Sequence, residues 1–198
     1  MRLNARLNAL ILVLSLAGCA APPYPGAPRL AAGQETSPDV TVQEVTVAVP
    51  RSLTVSEEST YYPAADIVWR GEPRGDRYAQ VTAIFAEAGR RAVRPLSGTR
   101  KVAADIEVTR FHSVTEVARY TVGGVHSITF EMLMRDASTG APLGPRRVIK
   151  ADLRAFGGQK AVDADAAGQT QKVRIIAHLE TVIRSELVNP DAYGSTGG

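Results

Sequence analysis

The stretch KVAADIEVTRFH, residues 101–112, sets Val102, Ala104, Ile106 and Val108 on one phase of a two-residue alternation and Asp105, Glu107 and Thr109 on the other. Successive side chains of a strand point to opposite faces, so the segment predicts a strand with one buried and one wet face. The pattern continues downstream. In RYTVGGVHSITFEMLMRD (119–136) the apolar phase is Tyr120, Val122, Ile128, Phe130, Met132 and Met134, opposed by Thr121, Ser127, Thr129 and Glu131. DASTGAPLG (136–144) supplies turn residues. RRVIKADLRAF (146–156) then places Ile149, Ala151, Leu153 and Ala155 opposite Lys150, Asp152 and Arg154. Together these segments predict a three-strand antiparallel meander, oily on one face and polar on the other.

Working upstream, VTVQEVTVAV (40–49) alternates Val45, Val47 and Val49 with polar neighbours and is stopped by Pro50, which reads as another strand. A long connection follows, with an extended piece at Ile67–Trp69. Asp76 to Val93 predicts a helix whose apolar face is Tyr78, Val81, Ile84, Phe85, Ala88 and Ala92, with Asp76 as cap and Pro95 beyond its end. Gln169 to Leu187 predicts a second helix, striped by Val173, Ile176, Leu179, Val182, Ile183 and Leu187. Amphipathic helices on an amphipathic sheet make two layers. A right-handed crossover would lay the first strand parallel to a meander strand. The expected fold is an α+β two-layer sandwich, with a mostly antiparallel sheet of about four strands, two helices on one face, and the order β-α-β-β-β-α.

The chain ends read differently. MRLNARLNALILVLSLAG (1–18) has Arg2, Arg6, no acid and an apolar run from Ala9 to Ala17, the pattern of a secretory signal. The run is shorter than the roughly 20 residues that cross a bilayer. Leu16-Ala17-Gly18-Cys19 resembles the lipobox of bacterial lipoproteins, and Cys19, the chain's single cysteine, has no second cysteine to pair with. That resemblance implies diacylglycerol on the Cys19 sulfur and an acyl chain on its amino group, and several acyl chains make a stable anchor. Ala20 stands where an inner-membrane-retained lipoprotein carries aspartate, which favours the periplasmic side of the outer membrane. Residues 19–39 include a proline-rich tether, five prolines between Ala20 and Pro38, reaching about 50–60 Å if extended. Residues 40–188 form the expected single domain, and 189–198 a frayed tail.

Formal charge is +3, and residues 1–18 carry two arginines and no acid, so it falls to +1 without them. No basic run with interleaved aromatics is present, so nucleic acid is not an expected partner. Chemistry-bearing motifs are likewise absent. His112, His126 and His178 lack zinc-ligand spacing. His126 falls on the oily phase of its strand, where a hydrogen-bonded core or rim histidine is expected. Asp163-Ala164-Asp165 begins like a calcium loop, but Ala167 and Arg174 stand where ligands belong. A cluster of acids at a helix start accounts for it better. Neither a G-x-S-x-G elbow nor a P-loop occurs, and Gly123-Gly124 reads as a bulge. No catalytic residue, metal or cofactor is expected. Trp69, the single tryptophan, either plugs the sandwich edge or contacts a partner.

Ala65-Asp66-Ile67-Val68-Trp69-Arg70-Gly71-Glu72-Pro73, Gly75-Asp76-Arg77 and Arg119 to Ser127 resemble a lipoprotein family of Gram-negative bacteria built on a domain of unknown function, over about Pro38 to Leu187. In architecture the chain is similar to the lipopolysaccharide-assembly lipoprotein and to auxiliary lipoproteins of transport systems. The family lends no activity, and the likeness of architecture does not imply function; the first expectation is a membrane-tethered, non-catalytic accessory module of an envelope complex or transporter, with an envelope protein as partner. The alternative is a carrier holding a lipid or other apolar ligand between sheet and helices. If both helices cover the oily face, the other face is left open, and its residues Asp105, Glu107, Thr129, Glu131, Lys150, Asp152 and Arg154 form, with Trp69, the candidate partner surface.

Overall fold

The computed structural model describes residues 39–193. Its elements are β1 (Val40–Ala48), β2 (Ile67–Val68), α1 (Arg77–Val93), β3 (Arg100–His112), α2 (Glu116–Tyr120), β4 (Gly124–Asp136), β5 (Arg147–Lys150), β6 (Leu153–Ala155), α3 (Gln159–Ala166), α4 (Gln171–Leu187) and a 3-10 turn at Pro190–Tyr193. The sheet runs β1-β3-β4-β5. β1 lies parallel to β3, with Val47 beside Ile106 and Ala48 beside Glu107, as the crossover through α1 requires. β3, β4 and β5 form the antiparallel meander. Two short strands lengthen the sheet, β2 against Phe111 and His112 and β6 against Gly124 to His126.

The helices start where the sequence supplies caps. The Asp76 carboxylate accepts the Ala79 N–H at 3.2 Å, and the Thr170 hydroxyl accepts that of Val173 at 3.3 Å, each satisfying a donor that the first helical turn leaves free. α1 and α4 pack on each other and α1 also on β1. Gly89 permits that approach, since a Cβ there would sit 3.1 Å from Val45 Cγ1. Between the layers Trp69, Phe85, Phe111 and Phe130 interlock edge to face, with ring centroids 5.4 Å apart for Phe85–Phe130 and 5.6 Å for Trp69–Phe111. All four are fully buried. This aromatic cluster fills the space between sheet and helices.

Five sequence expectations are corrected. The segment before β4 is not strand: the Thr115 hydroxyl caps the five-residue α2, and Tyr120 and Val122 lie exposed. The chain turns at Gly123, where φ is 75° and a Cβ would meet Ala155 O and Gly157 N at 2.8 Å. The last strand divides at Ala151-Asp152, because the Asp152 carboxylate accepts the Ile128 N–H at 3.0 Å in place of a ladder carbonyl. Asp163 and Asp165 belong to a separate helix, α3, rather than to the start of α4. In α4, Val173 faces solvent and Ile175 enters the core instead. At the chain end, Pro190–Tyr193 is folded and not frayed: Ala192 and Tyr193 are buried, and the Tyr193 hydroxyl donates to Leu187 O. The signal, Cys19, the tether and residues 194–198 lie outside the described residues.

Candidate functional site

The polar phase of the meander does share one face. In the ladder, Glu107 stands directly opposite Glu131, which is followed on the next strand by the exposed Val148; Thr129 stands opposite Lys150. Two carboxylates facing each other across a strand pair repel. The guanidinium of Arg146 lies 3.7 Å from each of them, too loosely for a hydrogen bond. One row away, Arg135 donates to Asp105 at 2.6 Å. β3 carries a register shift between Val108 and Arg110, so Arg110 rather than Thr109 continues the polar row beside Thr129.

Two of the candidate residues have other duties. Trp69 is no surface residue. It is fully buried, its Nε1–H donates to Glu72 Oε2 at 2.9 Å, and the ring lies so close to Gly71 that a Cβ there would fall 2.2 Å from Cη2. Glu72 also accepts Lys172 Nζ at 2.7 Å, fastening the connection to α4. Burial pushes the Glu72 carboxyl up, but the hydrogen bonds from Lys172 and Trp69 outweigh it and hold the group below its usual range. Asp152 is exposed, but its carboxylate is committed to the backbone of β4. The remaining six stay on the open face, with Arg154 at its end.

The exposed segment around α2 adds an apolar rim, of which the alternation had placed Tyr120 and Val122 in the core. Val122 is 77% exposed, Val125 52% and Tyr62 90%. A cleft of about 600 Å³ opens beside them, lined among others by Val122, Val125, Arg154, Phe156 and Lys160. A second, of about 760 Å³, lies at the opposite end among Arg90, Arg91, Arg94, Pro95, Glu180 and Arg184. Both are rim features and neither is lined by the aromatic cluster of the core.

His126 and His178 are neighbours, and His112 is engaged elsewhere. His112 Nε2 lies 2.9 Å from Pro63 O. His126 is fully buried as its phase implied, but neither ring nitrogen has a hydrogen-bond partner among the described residues. Burial above all, then the charges of Arg174 and Arg119 and the neighbouring His178, lowers its pKa to about 3, so it is neutral at physiological pH. Among the described residues no group of three or more His, Cys, Asp or Glu is arranged to hold a metal ion.

The geometry is that of an open-faced α+β sandwich with a packed core and a mixed-charge sheet surface. The sequence profile of the family of unknown function DUF6778 matches residues 40–197, and the chain belongs to that family. Among solved structures, the chain is similar to one described as a "putative lipoprotein" from Caulobacter crescentus CB15, at 16% identity and TM-score 0.35, covering 54% of this chain and 80% of that one. It is also similar to a DUF330 protein from Xanthomonas campestris, at 16% identity and TM-score 0.43, covering 78% and 86%. No curated protein matches the chain.

Proposed function

We propose that this protein is a lipid-anchored envelope protein, tethered through Cys19 to the periplasmic side of the outer membrane, whose domain serves as a non-catalytic interaction module of an envelope complex. The observation that carries the reading is an open sheet face over a filled core. A carrier would need space between sheet and helices, where Trp69, Phe85, Phe111 and Phe130 already pack ring against ring. The open face offers fixed charges on a rigid sheet, which supply orientation and selectivity more than raw affinity. The facing pair Glu107 and Glu131, loosely served by Arg146, suits a basic group on a partner. The tether and the lipobox-like Leu16-Ala17-Gly18-Cys19 support the address.

Crosslinking in native envelope membranes tests the interaction. Glu107→Lys and Lys150→Glu should each weaken a discrete crosslinked complex, with an effect that shrinks as salt screens the charges, while leaving the melting temperature within a few degrees, since exposed charges contribute little to folding. A complex unaffected by both reversals would remove the open face from consideration.

A further inference from the structure

We propose that the arginine cleft between the last turn of α1 and the C-terminal half of α4 binds the phosphate of an anionic phospholipid headgroup, seating the domain with this end toward the bilayer. The proposal rests on the anchored reading above. Arg90, Arg91 and Arg94 from the end of α1 and Glu180 and Arg184 from α4 line a concavity of about 760 Å³.

Helix-end electrostatics accounts for part of this cluster. Cations complement the carbonyls at a helix C-terminus, and Arg184 donates to Ala92 O and Arg91 O at 3.3 Å each while pairing with Glu180. Glu87 accepts from Arg90 at 2.8 Å and from Arg91 Nε at 2.6 Å. Two carboxylates then face four guanidinium groups, leaving positive charge in excess. Arg94 is exposed and makes no side-chain hydrogen bond or ion pair among the described residues, and both Nη groups of Arg91 are also left over. Guanidinium forks match phosphate oxygens in a way point charges do not.

The location points to a lipid as the source of the phosphate, because the tether of up to about 50–60 Å leaves the domain from this end and lets it reach the bilayer. Arg94 begins the link to β3, and Thr99 in that link donates its N–H and hydroxyl to the Asp39 carboxylate at 3.0 and 2.9 Å. Five residues span at most about 18 Å, so the cleft lies close to the residue from which the chain leads back to Cys19. An arginine held near an anionic membrane surface strengthens binding about fivefold.

The test uses the full chain in neutral detergent, with NMR of the arginine Nε–Hε signals. Dihexanoyl phosphatidylglycerol should shift Arg91, Arg94 and Arg184 at concentrations where dihexanoyl phosphatidylcholine does not. Arg94→Ala should weaken that response about fivefold with an unchanged melting temperature. Three results would overturn the proposal: no response to phosphatidylglycerol, a response that Arg94→Ala leaves intact, or equal saturation by inorganic phosphate at the same concentration, which would assign the cleft to a soluble phosphate compound. Cys19 acylation is read separately by mass, so an unacylated chain that still binds phosphatidylglycerol would overturn the anchor and not the cleft.

Discussion

Lowering the pH from 7 to 5 should cost the fold about 2 kcal/mol through one side chain, His126. The residue stands at the start of β4 opposite Leu153 of β6, fully buried, with both ring nitrogens unpartnered among the described residues. Its pKa falls from 6.5 to about 3 because burial disfavours the charged ring and Arg174 and Arg119 repel it. The unfolded chain therefore takes up a proton near pH 6.5 that the native state refuses until about pH 3. The stability from keeping this ring neutral is fully present above pH 6.5 and drains away as the pH falls toward 3. Each unit below 6.5 is worth about 1.4 kcal/mol, so the 1.5 units to pH 5 give about 2 kcal/mol.

The carboxylates held below their ordinary pKa values, Glu57 by Arg77 and Asp136 by the Thr139 and Ser138 amides among them, lose their contribution only as the pH falls through the range below about 4.5. The window from 6.5 to 5 is thus sensitive to His126 without them. Guanidinium unfolding at pH 7 and 5 should show the wild type losing about 2 kcal/mol more than His126→Leu. At pH 7 the leucine variant should fold at least nearly as stably, because an unpartnered buried polar group already costs about 1–3 kcal/mol. Equal losses in the two proteins would refute the reasoning.

Two further substitutions probe the scaffold. Gly71→Ala should destabilise by about 2 kcal/mol or more, because a Cβ 2.2 Å from the Trp69 ring forces a packed aromatic to move, and thermal unfolding followed by tryptophan fluorescence would report both effects. A normal melting temperature would mean that the ring has room to move. Asp152→Ala removes the acceptor of the Ile128 N–H and should cost about 1 kcal/mol with faster hydrogen exchange at that amide; unchanged exchange there would count against the strand break as drawn.

The meander was legible because alternation survives intact over long central strands: Val102 to Val108 and Ile128 to Met134 are buried on every second position. The same rule failed where alternation continues through a break. Ala151, Leu153 and Ala155 keep the phase of Ile149, so period alone cannot see Asp152 taking over a backbone bond. Tyr120 and Val122 fell on the oily phase by coincidence, and the contrary signal was the Thr115 cap with Gly123 and Gly124 closing the turn. α3 went unread because QKAVDADA is short and weakly patterned, though its alanines favour helix. Tyr193 is held by a tertiary contact with the end of α4, which no local pattern encodes. The open face could be read because it depends only on phase. The arginine cleft could not, since Arg94 and Arg184 are 90 positions apart and meet only when α1 and α4 pack.

Everything proposed for the open face and the arginine cleft places the domain at a membrane through Cys19, so mass spectrometry of the native amino-terminal peptide is the most direct test. The account predicts a chain that begins at Cys19, with diacylglycerol on the sulfur and an acyl group on the new amino terminus, and a Cys19→Ser variant that lacks both. A native peptide with a free thiol at Cys19, or one that still carries residues 1–18, would contradict it.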